Sequence, residues 1–269
     1  MLAFVAAEAR EFSGLLRKAE RVNKLDWPVD FARRVWLNGR AAVLVANGPG
    51  PKLAGEAVEI AKGHEDLTGL VSTGFCGALD PALKPLDIFI PSKILLPSRD
   101  REEAVLQPLA YGSLKKPKKA PTPSRSRFGN ILPSRDREEA VVQSLACARG
   151  SVTNGALLSV DRVASTAADK SELRKTGAAA IEMEAAAVAE KAKKYNLPFY
   201  CIRVVTDTAT ESFPLDFNRM RDANGRFSRT KIVAAALRHP SVFPKLIELN
   251  KRCKLAAEAL GDFIADTRF

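Results

Sequence analysis

Carboxylates placed just past the ends of apolar runs are the residues in this chain best suited to chemistry. The run Ala178 to Ile181 reads as a buried strand, and Glu182, Met183 and Glu184 stand where it must turn into the Ala-rich helix that follows. A second apolar run, Phe199 to Val205, ends in Thr206-Asp207-Thr208, and a third, Leu2 to Ala6, leads into Glu8 and Glu11. Acids pack poorly, and in an α/β protein the carboxyl ends of strands are where ligands bind. A carboxyl group held in an apolar site keeps its proton and can act as a general acid, while an ionised neighbour stabilises positive charge. Glu182 and Glu184 could instead only complement the positive end of the helix dipole, but that explanation leaves Asp207 unaccounted for. Glu190 falls on the body of the helix and is expected in solvent.

Other chemistries find less support. The two histidines, His64 and His239, adjoin none of these strand ends, so histidine catalysis is not indicated. Cys76, Cys147, Cys201 and Cys253 show no CxxC spacing and no histidine partner, which gives neither a metal site nor a disulfide framework and makes reduced cytoplasm the natural compartment. Gly48-Pro49-Gly50 with Gly55 breaks the G-x-G-x-x-G spacing, and there is no GK[ST] loop. A glycine-rich turn facing a ligand remains. The second such turn, Thr73-Gly74-Phe75-Cys76-Gly77, ends the strand pattern Leu67 to Ser72 and would let the backbone approach a sugar or an anion. No cofactor and no metal are expected.

The elements that must position these residues alternate along the chain. Val35 to Leu37 and Ala41 to Ala46 flank Asn38-Gly39, a two-residue hairpin signal. Lys52 to Ala61 has helical spacing, Leu86 to Ile90 and Gly155 to Val160 read as strands, and Asp169 to Lys175 as a helix. The stretch after Asp207 is polar without periodicity, and the chain closes on two helices, Lys231 to Arg238 and Val242 to about Ile264. With 269 residues, 46% apolar and 27% charged, one α/β domain over 1–269 is expected. The chain is expected to open directly on a strand, without a cleavable signal, and has no apolar stretch long enough to cross a bilayer.

Two segments stand outside that frame. LPSRDREEAV at Leu96 to Val105 returns at Leu132 to Val141, 36 residues on, so 95–150 is an insertion made by local duplication. Asp100 and Asp136 precede Glu103 and Glu139 in capping-box order, and the Pro- and Lys-rich tract between the copies is expected to be mobile. The net charge of +11 is concentrated here and in the tail: 97–149 hold 11 Lys/Arg against 6 Asp/Glu, and 217–269 hold 11 against 5. The rest of the chain is neutral, so the charge concerns location more than chemistry. The basic tract lacks interleaved aromatics, and nucleic acid is not expected as a partner. In the tail at 228–269, Ile232, Val233, Leu237, Val242, Phe243, Leu246, Ile247 and Leu249 intermix with Lys231, Arg238, Lys245, Lys251, Arg252 and Lys254, a pattern that suits either packing on the core or peripheral contact with an anionic membrane, at its inner face.

Taken together, Ala6-x-Glu8-x-x-Glu11, Ser72 to Ile88 (STGFCGALDPALKPLDI), Leu157 to Asp161 (LLSVD), Ile181 to Ala189 (IEMEAAAVA) and Val204 to Ala209 (VVTDTA) resemble the purine nucleoside phosphorylase and uridine phosphorylase superfamily. The likeness is greatest to nucleosidases acting on 5'-methylthioadenosine and S-adenosylhomocysteine, and to the hopanoid-associated group acting on adenosylhopane. It extends over residues 1 to 216 outside the insertion. The resemblance implies a three-layer α/β/α fold around a central mixed sheet, a homo-oligomer, and cleavage of the N-glycosidic bond of a purine nucleoside that can be lipid-linked. By the same resemblance Asp207 is the general acid for the base, and Glu11 orients and deprotonates water, with Glu8 as the alternative. Glu184 grips the ribose hydroxyls, Met183 packs under the sugar, and Gly74, Phe75, Gly77 and Val163 complete the substrate site. Glu182 is expected behind these. No aromatic stands at Val163 and Ala164, where the family holds the base. Phe75 occupies the place of a phosphate-binding serine, which favours hydrolysis. Phosphorolysis, with phosphate as co-substrate and Arg10 or Arg40 as its ligand, is the alternative, as is a non-catalytic homologue.

Overall fold

The computed structural model describes residues 1–96, 110–111 and 150–269. Most of the duplicated segment and both of its capping boxes therefore lie outside the described residues. In chain order, β1 is Leu2–Ala6, α1 Ser13–Lys18, β2 Arg21–Lys24, β3 Phe31–Leu37, β4 Arg40–Ala46 and α2 Pro51–His64. Then come β5 Gly69–Ala78, β6 Ile88–Leu95, β7 Ala110–Tyr111, β8 Val152–Ser159, α3 Ala167–Arg174, β9 Ala180–Glu182 and α4 Ala185–Lys194. The chain ends with β10 Phe199–Asp207, α5 Arg229–Arg238, α6 Phe243–Ala265 and β11 Thr267–Arg268.

Nine strands form one mixed sheet in the order β10-β6-β8-β9-β5-β1-β4-β3-β2, and β10 also pairs with β5. The sheet therefore closes on itself through β5, β9, β8, β6 and β10. Strands β1, β4, β5 and β10 are mutually parallel through their shared pairings, so their carboxyl ends lie along one edge. The hairpin at Asn38-Gly39 forms as expected, with both residues at positive φ (50° and 72°), the conformation that a two-residue turn between twisted strands requires.

Helices cover both faces. On one, Ala54, Ala57, Val58 and Ala61 of α2 and Val188, Ala189 and Ala192 of α4 bury against β1, β4, β5 and β10. On the other, Leu15 of α1 and Ala256, Leu260, Phe263 and Ile264 of α6 pack over Phe4, Leu44, Val71 and Ile202. Gly14 and Gly261 let α1 and α6 approach closely, since a Cβ on Gly14 would lie 2.0 Å from the Ala257 carbonyl oxygen. This is the expected α/β/α layering around a mixed sheet.

Strand β5 is longer than its sequence suggests. The apolar pattern ends at Ser72, yet the strand runs on through the glycine motif to Ala78 because β10 stays paired to it as far as Asp207↔Gly77. Tertiary pairing overrides the low strand preference of glycine there. The polar stretch after Asp207 is ordered too, with a short 3-10 turn at Phe217–Met220 and a bridge between Arg221 and Phe227. No described helix is long and apolar enough to cross a membrane.

Candidate active site

The carboxyl ends of β1, β5, β9 and β10 converge on a cavity of about 170 Å³. The ends of β1, β9 and β10 deliver the acids singled out above, and β5 brings the glycine motif. The 3-10 turn Ala9–Phe12 follows β1 and buries Glu11, while Glu8 beside it is half exposed and paired with Arg10 at 2.5 Å. Glu11, not Glu8, is thus the acid of the interior. Glu184 is the residue before α4, and its Oε1 accepts the Gly50 N–H at 2.9 Å. Asp207 ends β10. All three acids are at most 6% exposed and line the same cavity.

Phe75, Gly77, Val163 and Met183 line the cavity as well. Gly74 does not; it lies behind Glu11, at φ +132°, where a Cβ would fall 1.9 Å from Glu11 Oε2. A Cβ on Gly77 would sit 2.8 Å from Asp207 Oδ2. The two glycines therefore make room for the protein's own carboxylates. The expectation that their backbone meets the ligand is corrected at Gly74.

Burial dominates the electrostatics. It pushes the Glu11 carboxyl up to about 8, with Glu184 and Glu8 adding to the rise and Arg203 and Arg10 opposing it. Glu184 is raised to about 7 by burial and by Glu182, against Arg203 and the backbone N–H groups of Gly50 and Met183. Asp207 is raised by burial and held back by Lys170. Glu11 Oε2 is buried with no hydrogen-bond partner in the protein, which leaves it free to accept from a water or a hydroxyl. Asp207 Oδ1 accepts from Thr206 Oγ1 at 2.8 Å.

Two buried cations that the sequence reading passed over hold these acids in place. Arg203, inside β10 and 1% exposed, donates to the Thr73 carbonyl at 2.8 Å, to Ser72 Oγ at 2.6 Å and to Glu182. Its Nη1 is also 3.8 Å from Glu184 Oε2. Glu182 Oε2 in turn accepts the N–H groups of Glu184 and Ala185, at 2.9 and 2.8 Å, so it caps α4 from behind the site, although it also lines the cavity. Lys170 of α3, 1% exposed, reaches Asp207 Oδ2 at 2.5 Å. A lone Arg within CIRVV was the available signal, because a charge inside an apolar strand must be paired.

Replacing Arg203 by Met strips Glu182 of its counter-ion and is expected to destabilise the fold by about 3–5 kcal/mol. That is a fall in melting temperature of roughly 10 °C; a change of less than ~2 °C by calorimetry would show that the pair does not hold the site together.

The aromatic wall absent at Val163 and Ala164 comes from further along the chain. Phe213 and Phe227 line the cavity, and both stand edge-on to Phe217, with ring centres 5.5 and 6.1 Å away. Asn218 ties this segment to the base of the site, accepting the Val163 N–H at 2.8 Å and donating to the Val163 carbonyl at 2.9 Å. Arg221 adds an ion pair with Asp161 at 2.8 Å.

Each cation at the cavity faces a carboxylate. Arg10 pairs with Glu8, Arg162 is bidentate on Asp169 at 2.5 and 2.8 Å, Arg203 lies on Glu182, and Lys170 on Asp207. Arg40 is not there at all. As the first residue of β4 it stands at the opposite edge of the sheet, on a larger groove of about 1020 Å³ with Met1, Tyr200, Asp266 and Phe269. Arg40 is therefore withdrawn as an anion ligand of this site.

Solved structures with the same fold include 5'-methylthioadenosine/S-adenosylhomocysteine nucleosidases. The Neisseria meningitidis structure in complex with methylthio-immucillin-A matches at TM-score 0.61 and 22% identity, over 98% of this chain and 96% of that one. A putative nucleosidase from Borrelia burgdorferi bound to adenine matches at TM-score 0.62 and 16% identity, over 99% and 98%. The Campylobacter jejuni nucleosidase matches at TM-score 0.60 and 16% identity, over 98% and 96%. No curated protein matches the chain by sequence. The family model of the phosphorylase superfamily matches residues 7–238, and the chain, with its acids at the carboxyl ends of a closed mixed sheet, belongs to that superfamily.

Proposed function

We propose that the protein is an N-ribosyl hydrolase that cleaves the N-glycosidic bond of an adenine nucleoside. The observation that carries this reading is the burial of Glu11, Glu184 and Asp207 around one cavity at the edge where strand ends meet. Breaking such a bond leaves an oxocarbenium-like sugar and a poor leaving group, so it calls for an acid at the base, an anion near the sugar and a placed nucleophile. Burial raises the Asp207 pKa against the pull of Lys170, the direction that a proton donor to the purine ring nitrogen needs. Glu184, fixed by Gly50 and Arg203, sits as the partner of the ribose hydroxyls and of the developing cation. Met183 offers its thioether to the apolar face of the sugar. The free oxygen of Glu11 orients water and takes its proton.

Water is favoured over phosphate because every guanidinium and ammonium lining the cavity, among the described residues, already faces a carboxylate. A phosphate would compete with these carboxylates for the same cations. Chromatography of the sugar product decides the matter: free ribosyl sugar at the same rate with and without phosphate is expected, whereas strict dependence on phosphate with release of a sugar 1-phosphate would make the protein a phosphorylase.

The substrate we infer carries a lipid at the 5' position, as adenosylhopane does. The cavity is smaller than the ~300 Å³ at which drug-sized pockets begin, so a bulky 5' group must lie outside it. Lys231 of α5 donates to the Arg221 carbonyl at 2.7 Å, next to the Asp161 pair at the site. From there α5 and α6 expose Val233 (56%), Leu237 (66%), Phe243 (40%) and Ile247 (55%) among Lys231, Arg238, Lys245 and Lys251. That combination suits peripheral contact with an anionic bilayer. Co-sedimentation with anionic vesicles at low salt is expected, lost in 0.5 M salt, a value on the order of several times physiological ionic strength, and lost in Leu237→Glu/Phe243→Glu. No binding at low salt would remove the membrane from the proposal.

A further inference from the structure

Lys170 is the one buried side chain of α3, and it spends its charge on a single spot. Its ammonium donates to Asp207 Oδ2 at 2.5 Å, to the Thr208 carbonyl at 2.7 Å and to the Glu211 carbonyl at 3.1 Å. Three protons meet three acceptors, so the group is saturated and fixed in direction. The Phe213 ring stands 5.3 Å from Nζ and closes the remaining side. An apolar residue would fill this place more cheaply than a desolvated charge. The cost of keeping an ammonium here has to be recovered in what it does to Asp207.

Resting on the glycosidase reading of the site, we propose that Lys170 is a positioning residue for the general acid: it holds Asp207 against the leaving base and stabilises the carboxylate that remains once the proton is given up. The step balances as follows. The C–N bond breaks with its electron pair going to the purine, the Asp207 O–H proton passes to a purine ring nitrogen, and Asp207 is left as a carboxylate facing the Lys170 ammonium. The contact between Lys170 and Asp207 in the structure already has the geometry that receives this charge. A preorganised counter-ion of this kind lowers the barrier because no reorganisation is needed when the charge appears.

The other groups facing Asp207 cannot take over this task. Glu211 in the following loop repels it, and its carboxylate is turned to Arg252 of α6 at 2.6 Å. Arg252 also donates to the Thr206 carbonyl at 3.1 Å and to Glu248 at 2.9 Å. Cys76 on β5 and Cys253 on α6 are thiols whose pKa is raised by burial, and Thr206 supplies one neutral hydrogen bond. Lys170 is the cation in contact with the acid.

The test reads Asp207 directly and does not depend on turnover. With 13C-labelled aspartate, and Asp207→Asn to assign the signal, the Asp207 carboxyl is titrated in wild type, Lys170→Met and Lys170→Arg. Loss of the ammonium removes what holds the Asp207 pKa down, so the midpoint is expected to move up by at least about one pH unit, a tenfold change in proton affinity, in Lys170→Met. It should stay near wild type in Lys170→Arg. On an adenine nucleoside that wild type cleaves, kcat should fall roughly 100-fold in Lys170→Met with little change in KM. The limb of the pH profile that Asp207→Asn abolishes should move to higher pH, and Lys170→Arg should restore its position. If Lys170→Met does not fold by circular dichroism, Lys170→Gln, which keeps a donor for Thr208, takes its place. An Asp207 midpoint unmoved in a folded variant overturns the proposal. A wild type that cleaves no nucleoside overturns the glycosidase reading instead and leaves the titration to be judged by itself.

Discussion

Replacing Asp207 by Asn is expected to slow release of the base by roughly 10²–10⁴-fold, with KM changed far less. The side chain keeps its size, and Thr206 and Lys170 keep their places, but the proton that the purine must receive is gone. Burial raises the Asp207 pKa, against the pull of Lys170, which is the direction that proton donation requires. A substrate whose leaving group needs no protonation, such as a nitrophenyl riboside, should be cleaved almost normally by the variant. That contrast separates the acid's role from a general disturbance of the site. Equal losses on both substrates would mean that Asp207 is structural.

Glu11→Gln is expected to abolish most turnover and, at the same time, to stabilise the protein at alkaline pH. The first effect follows from removing the group that takes the proton from water, on the scale of 10²–10⁴-fold. In wild type the rising limb of kcat/KM should have apparent midpoints between about 7 and 8, which belong jointly to the facing pair Glu11 and Glu184. The second effect follows from linkage. With its folded pKa raised to about 8 from an ordinary 4.5, Glu11 binds more proton in the folded than in the unfolded chain throughout that window. Stability therefore falls as pH rises from about 4.5 to about 8. Gln carries no such charge, so its melting temperature should decline less over the same range and exceed that of wild type by roughly 5 °C at pH 8.5. A catalytic loss without this crossover would place Glu11 in contact with solvent, contrary to its burial.

Much of this site could be seen in the chain before folding, because the acids break an apolar pattern locally. Glu184 and Asp207 follow runs that have no reason to end in carboxylates, and Asn38-Gly39 specifies its own turn. What the sequence left hidden depends on distant pairings. Arg203 reads as one more residue of an apolar strand until Glu182, Ser72 and Thr73 are brought around it. Lys170 lies on a polar helix whose neighbours Asp169 and Glu172 look equally solvated, and only the end of β10 and the loop after it, folded around its ammonium, set it apart. Phe213 and Phe227 sit in a stretch with no periodicity, where nothing local distinguishes a cavity wall from a loop. Gly74 and Gly77 stand where Glu11 and Asp207 come close, approaches set by the pairing of β5 with β1 and β10 and invisible in the local sequence.

The central claim is that three acids from three strand ends serve one nucleoside. It is tested most directly by following free adenine from a panel of 5'-substituted adenosines, including 5'-methylthioadenosine and a lipid-linked adenosine, in phosphate-free buffer. Wild type should release adenine from at least one of them, and Glu11→Gln, Glu184→Gln and Asp207→Asn should each fall by at least about 100-fold on that same compound. Release that persists unchanged in any of the three variants, or no release from any compound by folded wild-type protein, would contradict it.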